Sequence, residues 1–137
     1  MPSRTAWIVT GLLCFVASAA PAQNATPTSP AATLSGGFAF TEVNGEDLYV
    51  NVCQGCHMPD AKGATGAGTY PSLAGDKALE AYGYAIQCVI KGRHAMPPVG
   101  MMMTDDQVAA VVNFVRTHFG NDYRDTVTAA DVGAVRR

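Results

Sequence analysis

The sequence predicts an all-α domain, a small bundle of three to five helices built around a non-protein centre. Three observations carry that expectation. Apolar residues recur at helical spacing in three separate segments. No stretch between those segments alternates as a half-buried strand would. Residues 58–76 form a long connection rich in Gly, Ala and Pro that contributes little apolar area. A domain of about 100 residues buries only a modest share of its surface in any case, so something other than side chains has to fill the middle.

Composition narrows the function. The chain has 137 residues, 48% of them hydrophobic and 15% charged, with a formal charge of −2. That length fits one small domain and leaves no room for a separate catalytic domain. A slightly acidic balance offers no basic stripe to phosphates, which argues against nucleic acid as a partner. Residues 1–22 carry Arg4, an apolar run from Ala6 to Ala20 and the small-residue ending Ala20-Pro21-Ala22 before Gln23. This is the pattern of a cleaved secretory signal peptide, with an uncleaved anchor as the competing reading. The run is short and rich in Gly, Ser and Ala for a membrane span. Cleavage implies a periplasmic protein with no stable membrane insertion. It also removes Cys14 and leaves eight Lys and Arg against eleven Asp and Glu. Residues 23–37 are uncharged and aperiodic, a flexible leader. The folded domain is expected over 38–137.

Each helix has its own signals. From Thr41, positions Gly45, Leu48, Tyr49, Val52, Cys53 and Cys56 share one face, so both cysteines extend an apolar stripe. A second helix is expected over 77–91, with Asp76 as N-cap, Leu79, Tyr82, Ile86, Val89 and Ile90 as its stripe, and Gly92 as its stop. The third begins at a capping box, Thr104-Asp105-Asp106-Gln107, flanked by a Met103–Val108 hydrophobic staple. Val108, Val111, Val112, Val115 and Phe119 continue it to a left-handed cap at Gly120. A short fourth helix is expected after Thr128, from Thr-x-x-Asp.

Cys53-Gln54-Gly55-Cys56-His57 has the spacing of a c-type haem attachment site. Cysteines three apart on a helix project to one side and form thioethers with the two vinyl groups of one porphyrin. The adjoining histidine then supplies the proximal imidazole to iron. Three readings compete. A dithiol oxidoreductase needs a βαβ context. A structural zinc site needs four ligands, and Cys88 and His94 lack the paired spacing to complete one. A chance match is the third. An export signal on the same chain favours haem, which is attached after export.

From Gly45 to Gly120 the chain resembles the class I, mitochondrial-type cytochromes c. The resemblance implies that Gly45 and Tyr49 pack against Val111 and Phe114 of the third helix. It implies that Pro71-Ser72-Leu73-Ala74-Gly75 is the family's Pro-x-Leu-x-Gly element, with the Pro71 carbonyl accepting the His57 ring N–H and Leu73 packed on the haem. The segments Gly92–Pro98 and Asn113–Asn121 are similar to those of small periplasmic mono-haem cytochromes, or cytochrome subunits, serving dehydrogenases of alcohols, sugars, aldehydes or amines. One covalently bound haem c is thus expected. The resemblance implies a one-electron carrier, not an enzyme, reduced by a periplasmic dehydrogenase and oxidised by a terminal oxidase or another cytochrome of the respiratory chain. The alternatives are a permanent dehydrogenase subunit, or a haem enzyme or gas sensor with an open axial position.

The sixth ligand is expected to be Met96. Pro97-Pro98 holds the chain extended after it, and the family uses a Met-Pro element here. Of its rivals, Met103 has the staple to form, and Met101 and Met102 are expected to pack flexibly around the haem. Met58, Pro59, Pro97, Pro98 and Val99 should frame an uncharged haem edge suited to transient contacts. Arg93, Tyr70 and Tyr82 are candidate propionate donors, His118 a surface residue at a helix end, and His94 a rival to Met96 or a propionate contact. Cys88 falls about 180° from Leu79 on the second helix. It is either a surface thiol able to link two molecules or a small residue tucked under the 58–76 loop.

Overall fold

The computed structural model describes residues 39–66 and 68–137. The signal peptide and leader expected over 1–22 and 23–37, and Phe38, lie outside the described residues. The first helical stretch is built from α1 (Gly45–Leu48), a π turn over Tyr49–Cys53 and α2 (Gln54–His57). Asn44 caps it, its side chain accepting the Asp47 N–H at 2.8 Å. An unbroken helix was expected from Thr41. The π turn instead widens the coil before the cysteines and rotates α2 relative to α1, so one straight stripe does not run from Leu48 to Cys56. Met58, at φ 68, ends α2.

The 58–76 connection contains a short antiparallel pair, β1 (Ala64–Thr65) with β2 (Thr69–Tyr70), Ala64 facing Tyr70. Two residues per strand are too few to show an alternation, which is why the sequence predicted none. The expected helix over 77–91 is two pieces: a 3-10 turn at Lys77–Glu80 and α3 (Tyr82–Lys91). Asp76 caps the turn through the Ala78 N–H at 2.9 Å. Ala81, at φ −82 and ψ 89, breaks the helix and resets its phase. α3 buries Ala85, Ile86 and Ile90.

After a 3-10 turn at Val99–Met102 comes α4 (Asp105–Thr117), then α5 (Ala129–Arg136). Both expected capping boxes form, Thr104 with Gln107 and Thr128 with Asp131. Met103 and Val108 are both buried, as a staple requires. α4 stops two residues before the expected Phe119, because Phe119 itself takes a positive φ of 59 ahead of Gly120. The turn brings the Phe119 ring to 4.8 Å from Tyr49, a tilted aromatic contact that offsets the backbone cost. Tyr49 also meets Phe114 at 5.7 Å. A Cβ on Gly45 would lie 2.2 Å from the Ala110 carbonyl and 2.6 Å from the Phe114 Cβ, so only glycine lets α1 cross α4 here. Gly45, Tyr49 and Phe114 thus meet as expected, and Val111 is buried in the same core as Tyr49 and also lines a cavity.

Arg116, which carries no signal in the sequence, is fully buried. Its guanidinium donates to the carbonyls of Leu79 (2.8 Å), Glu80 (3.2 Å) and Asp125 (2.6 Å) and pairs with the Asp125 carboxylate. The rings of Tyr82 and Tyr123 each lie 5.7 Å from it. One side chain therefore ties the start of α3 and the segment after α4 to the end of α4. Arg116→Met should lower stability by about 3 kcal/mol, since the buried Leu79 carbonyl and the part-buried Glu80 and Asp125 carbonyls lose their donor. Arg116→Lys should not restore it, lacking the planar fork. Urea midpoints of the pigmented protein measure both.

Candidate functional site

A cavity of about 440 Å³ lies among α2, α3, α4 and their connections, with mostly apolar walls. The six residues expected to hold a haem all line it: Cys53, Cys56, His57, Pro71, Leu73 and Met96. The attachment motif lies on α2 and the residue before it. Cys53 is half-buried, Cys56 exposed and His57 buried. His57 Nδ1 stands 3.0 Å from the Pro71 carbonyl. A carbonyl only accepts, so Nδ1 carries the proton and Nε2 keeps its lone pair for a metal.

The Pro71–Gly75 loop is held from the far end of α4. Asn121, buried, donates to the Leu73 carbonyl and the Val115 carbonyl, both at 2.8 Å, while the Gly75 N–H reaches the Phe119 carbonyl at 3.1 Å. Sequence reasoning missed this role. An Asn after a helix signals a turn, but nothing local says which loop it binds.

Met96 is set by a small hairpin that the sequence did not suggest. Its N–H donates to the Arg93 carbonyl at 2.9 Å and its carbonyl accepts from the Arg93 N–H at 3.1 Å, closing a turn through His94 at φ 52. Gly92 before it takes φ 70, and a Cβ there would lie 2.5 Å from the Met96 carbonyl. The prolines extend a residue already fixed by backbone pairing. Met101 and Met102 do not line the cavity; they are 70% and 39% exposed, a correction to their expected place around the haem. The 3-10 turn directs them to solvent while Met103 turns inward.

Cys88 faces the same cavity, with Ala85 and Val89. Cys88 is half-buried, which corrects the expected surface thiol: it does lie opposite Ile86 and Ile90 on α3, but that side borders the cavity and not open solvent. Tyr70, Pro71 and Leu73 of the 58–76 connection line the same cavity, in keeping with the alternative of a small residue beneath that loop. Of the candidate propionate donors, Tyr70 and Arg93 line the cavity, whereas Tyr82 covers Arg116 instead. His94 lines it too, and His118 is exposed with Nδ1 on the Phe114 carbonyl at 2.8 Å. Of the expected edge residues, Pro97 and Val99 line the cavity, and Pro59 and Pro98 are exposed beyond it.

The electrostatics discriminate between the chemistries open to two cysteines. Burial pushes the Cys53 thiol up to about 12, and the neighbouring Cys56 adds to the rise. A dithiol oxidoreductase needs the opposite, an attacking thiol pushed below its ordinary range. Among the described residues no three His, Cys, Asp or Glu side chains converge as a metal site, which removes the zinc reading. Two cysteines beside a large apolar cavity and a tautomer-fixed imidazole suit a porphyrin.

Residues 41–115 match the family model described as cytochrome c oxidase, cbb3-type, subunit III. The chain belongs to this cytochrome c family. Relatives include the cytochrome c subunit of a quinone-type alcohol dehydrogenase from Gluconacetobacter polyoxogenes, 36% identical over 69% of this chain and 22% of that protein. The gluconate 2-dehydrogenase cytochrome c subunit of Pantoea cypripedii is 33% identical over 68% of this chain and 24% of its own length. Cytochrome c-552 of Thermus thermophilus is 31% identical over 64% of this chain and 68% of its own. The chain therefore spans about a fifth to a quarter of the dehydrogenase subunits it matches.

As a cytochrome c it binds haem c covalently, and Cys53 and Cys56 fit the attachment motif. The cavity shows how much the fold depends on that group. Left unfilled, 440 Å³ would cost on the order of 10 kcal/mol at about 24 cal/mol per Å³, comparable to the whole stability of a small domain. Two outcomes are expected of the cytochrome. Acid–acetone extraction should leave its colour in the protein, with a mass one haem above the polypeptide. The Cys53→Ser/Cys56→Ser double variant, purified without haem, should lose most of its helical circular dichroism.

Proposed function

We propose that this cytochrome is a periplasmic one-electron carrier, reduced by a dehydrogenase and oxidised by a terminal oxidase or another cytochrome of the respiratory chain. The observation that carries the reading is the pair of donors in one cavity: His57, its tautomer fixed by Pro71, and Met96, the one methionine lining the cavity among the described residues. Haem c bound there supplies an iron that alternates between ferrous and ferric. Cys53 and Cys56 would tether it, His57 Nε2 and the Met96 sulfur would serve as its iron ligands, and Leu73 would pack against it. Two side chains of this chain available to the iron would leave no open place for a substrate or gas, which argues against the enzyme and sensor alternative. Electrons pass through an edge framed by Pro97 and Val99, where uncharged side chains suit brief contacts.

The relatives support a dehydrogenase as donor, since three different dehydrogenases lend their names to similar subunits. Their far greater length also keeps a second reading open: this chain as the permanent cytochrome of a larger assembly. The two separate experimentally. Ferric protein added to a periplasmic fraction should be reduced within minutes of supplying one substrate among an alcohol, gluconate or fructose, and should migrate alone on gel filtration. Comigration with the dehydrogenase activity would favour the subunit, and no reduction by any of the substrates would sink the proposed donor class.

The ligand assignment is tested by Met96→Ala with Met101, Met102 and Met103 intact. The weak long-wavelength sulfur-to-iron band of the ferric protein should vanish, the potential should fall and carbon monoxide should bind the ferrous form. Persistence of that band in Met96→Ala, with loss in Met101→Ala or Met102→Ala, would move the assignment.

A further inference from the structure

We propose that Arg136 on α5 is a positioning residue for Met96, a clamp that holds the 96–103 segment closed along the haem cavity. This rests on the reading of Met96 as sixth ligand. The guanidinium Nη2 of Arg136 donates to the Gly100 carbonyl at 3.0 Å and to the Met103 carbonyl at 2.8 Å. Its Nε donates to Asp105 Oδ1 at 2.5 Å. One always-charged, planar group thus grips the Val99–Met102 turn, the residue after it and the first residue of α4. Asp105 is itself favourably placed in the first turn of α4, where a carboxylate meets the positive end of the helix.

The clamped turn is mechanically close to Met96. It begins three residues later, across Pro97 and Pro98, whose φ angles are fixed by their rings. The Val99 N–H bonds the Pro97 carbonyl at 2.9 Å and the Met101 N–H the Pro98 carbonyl at 3.0 Å, so little slack separates the grip from the ligand. On its other side the turn rests on α3, where a Cβ on Gly100 would lie 3.0 Å from the Val89 carbonyl. α5 in turn is anchored by the Thr128–Asp131 capping box and the fully buried Val132. Gly133 leaves the Asp105 carboxylate room against the helix, at 3.2 Å from where a Cβ would stand. Arg136 lies beyond residues 41–115 of the family match.

For an external ligand to reach ferric iron, Met96 must leave, so the apparent affinity for imidazole reports the fraction of molecules with the segment open. The experiment titrates imidazole into the ferric holoprotein of wild type, Arg136→Met, Arg136→Lys and, as control, Asn113→Ala. Asn113 bonds both polar groups of the Val127 backbone and touches neither the turn nor Arg136. Arg136→Met should bind imidazole about tenfold more tightly than wild type, Arg136→Lys should fall between, and Asn113→Ala should match wild type even where its urea midpoint falls as far. Equal tightening in Asn113→Ala would reduce the effect to general stability and overturn the clamp. Wild-type affinity in Arg136→Met would overturn it as well. Loss of the sulfur-to-iron band in Met96→Ala keeps the ligand reading standing in either case, whereas its retention would overturn that reading and with it the link from Arg136 to Met96.

Discussion

The structure depends on a space that its own side chains do not fill. The walls of about 440 Å³ at the meeting point of α2, α3 and α4 are mostly apolar, with Val, Leu, Ala and Pro residues beside the cysteines, His57 and Met96. A protein interior packs to the density of an organic crystal, so such a space belongs to a ligand that completes the core. The short helices and the long 58–76 connection become intelligible in that light. They need not close on each other, because each packs against a shared rigid centre. The same logic explains why attachment is covalent. A group whose removal would cost a fold most of its stability is better held by bonds than by equilibrium.

Two sets of contacts place the side chains around that centre. On the His57 side, α1 crosses α4 at Gly45, and the Tyr49 ring packs at a tilt against Phe114 and Phe119. The Tyr49 hydroxyl donates to the Met58 carbonyl at 2.7 Å, fixing the chain directly after His57. Burial pushes that hydroxyl up to about 12, so it remains a donor across ordinary pH. Asn121 holds the loop that presents Pro71 to the imidazole. On the Met96 side the Arg93–Met96 backbone pairing and the two prolines set the local turn, and Arg136 braces the segment beyond it. The imidazole is oriented by a loop that distant side chains hold, and the thioether is presented first by local turn chemistry.

That difference governs what the sequence discloses. That Cys53, Cys56, His57 and Met96 would share one site was legible from short local motifs, and the structure brings all four to one cavity; the capping boxes at Thr104 and Thr128 were legible in the same way. Pro71 and Leu73 were legible only through likeness to a family pattern, and the structure brings both to the cavity. Arg116 and Asn121 were not legible. Their partners lie as far as 37 and 48 residues away, and no periodicity encodes a bond to a remote carbonyl. Phase errors account for the rest. The π turn at Tyr49–Cys53 and the break at Ala81 each reset a helical count. Cys88 lies opposite Ile86 and Ile90, but no pattern in the sequence says that this side of α3 meets a cavity. The outward turn of Met101 and Met102 comes from a single stretch of 3-10 geometry that leaves no hydrophobic signature.

The segment after residue 115 lies outside the matched family region, yet it reaches back to both walls of the cavity. Asn121 grips the Leu73 carbonyl beside Pro71, Arg116 ties the entrance of α3, and Arg136 grips the turn beyond Met96. Each bond runs from a side chain to a backbone carbonyl, so its strength depends on the position of the loop and not on the identity of the loop residues. A scaffold of this kind lets the cavity-lining sequences vary while the loop geometry is kept. It also divides the labour physically. The matched region supplies the ligands and the apolar walls, and the C-terminal segment supplies the charged and amide donors that decide how firmly those walls are held.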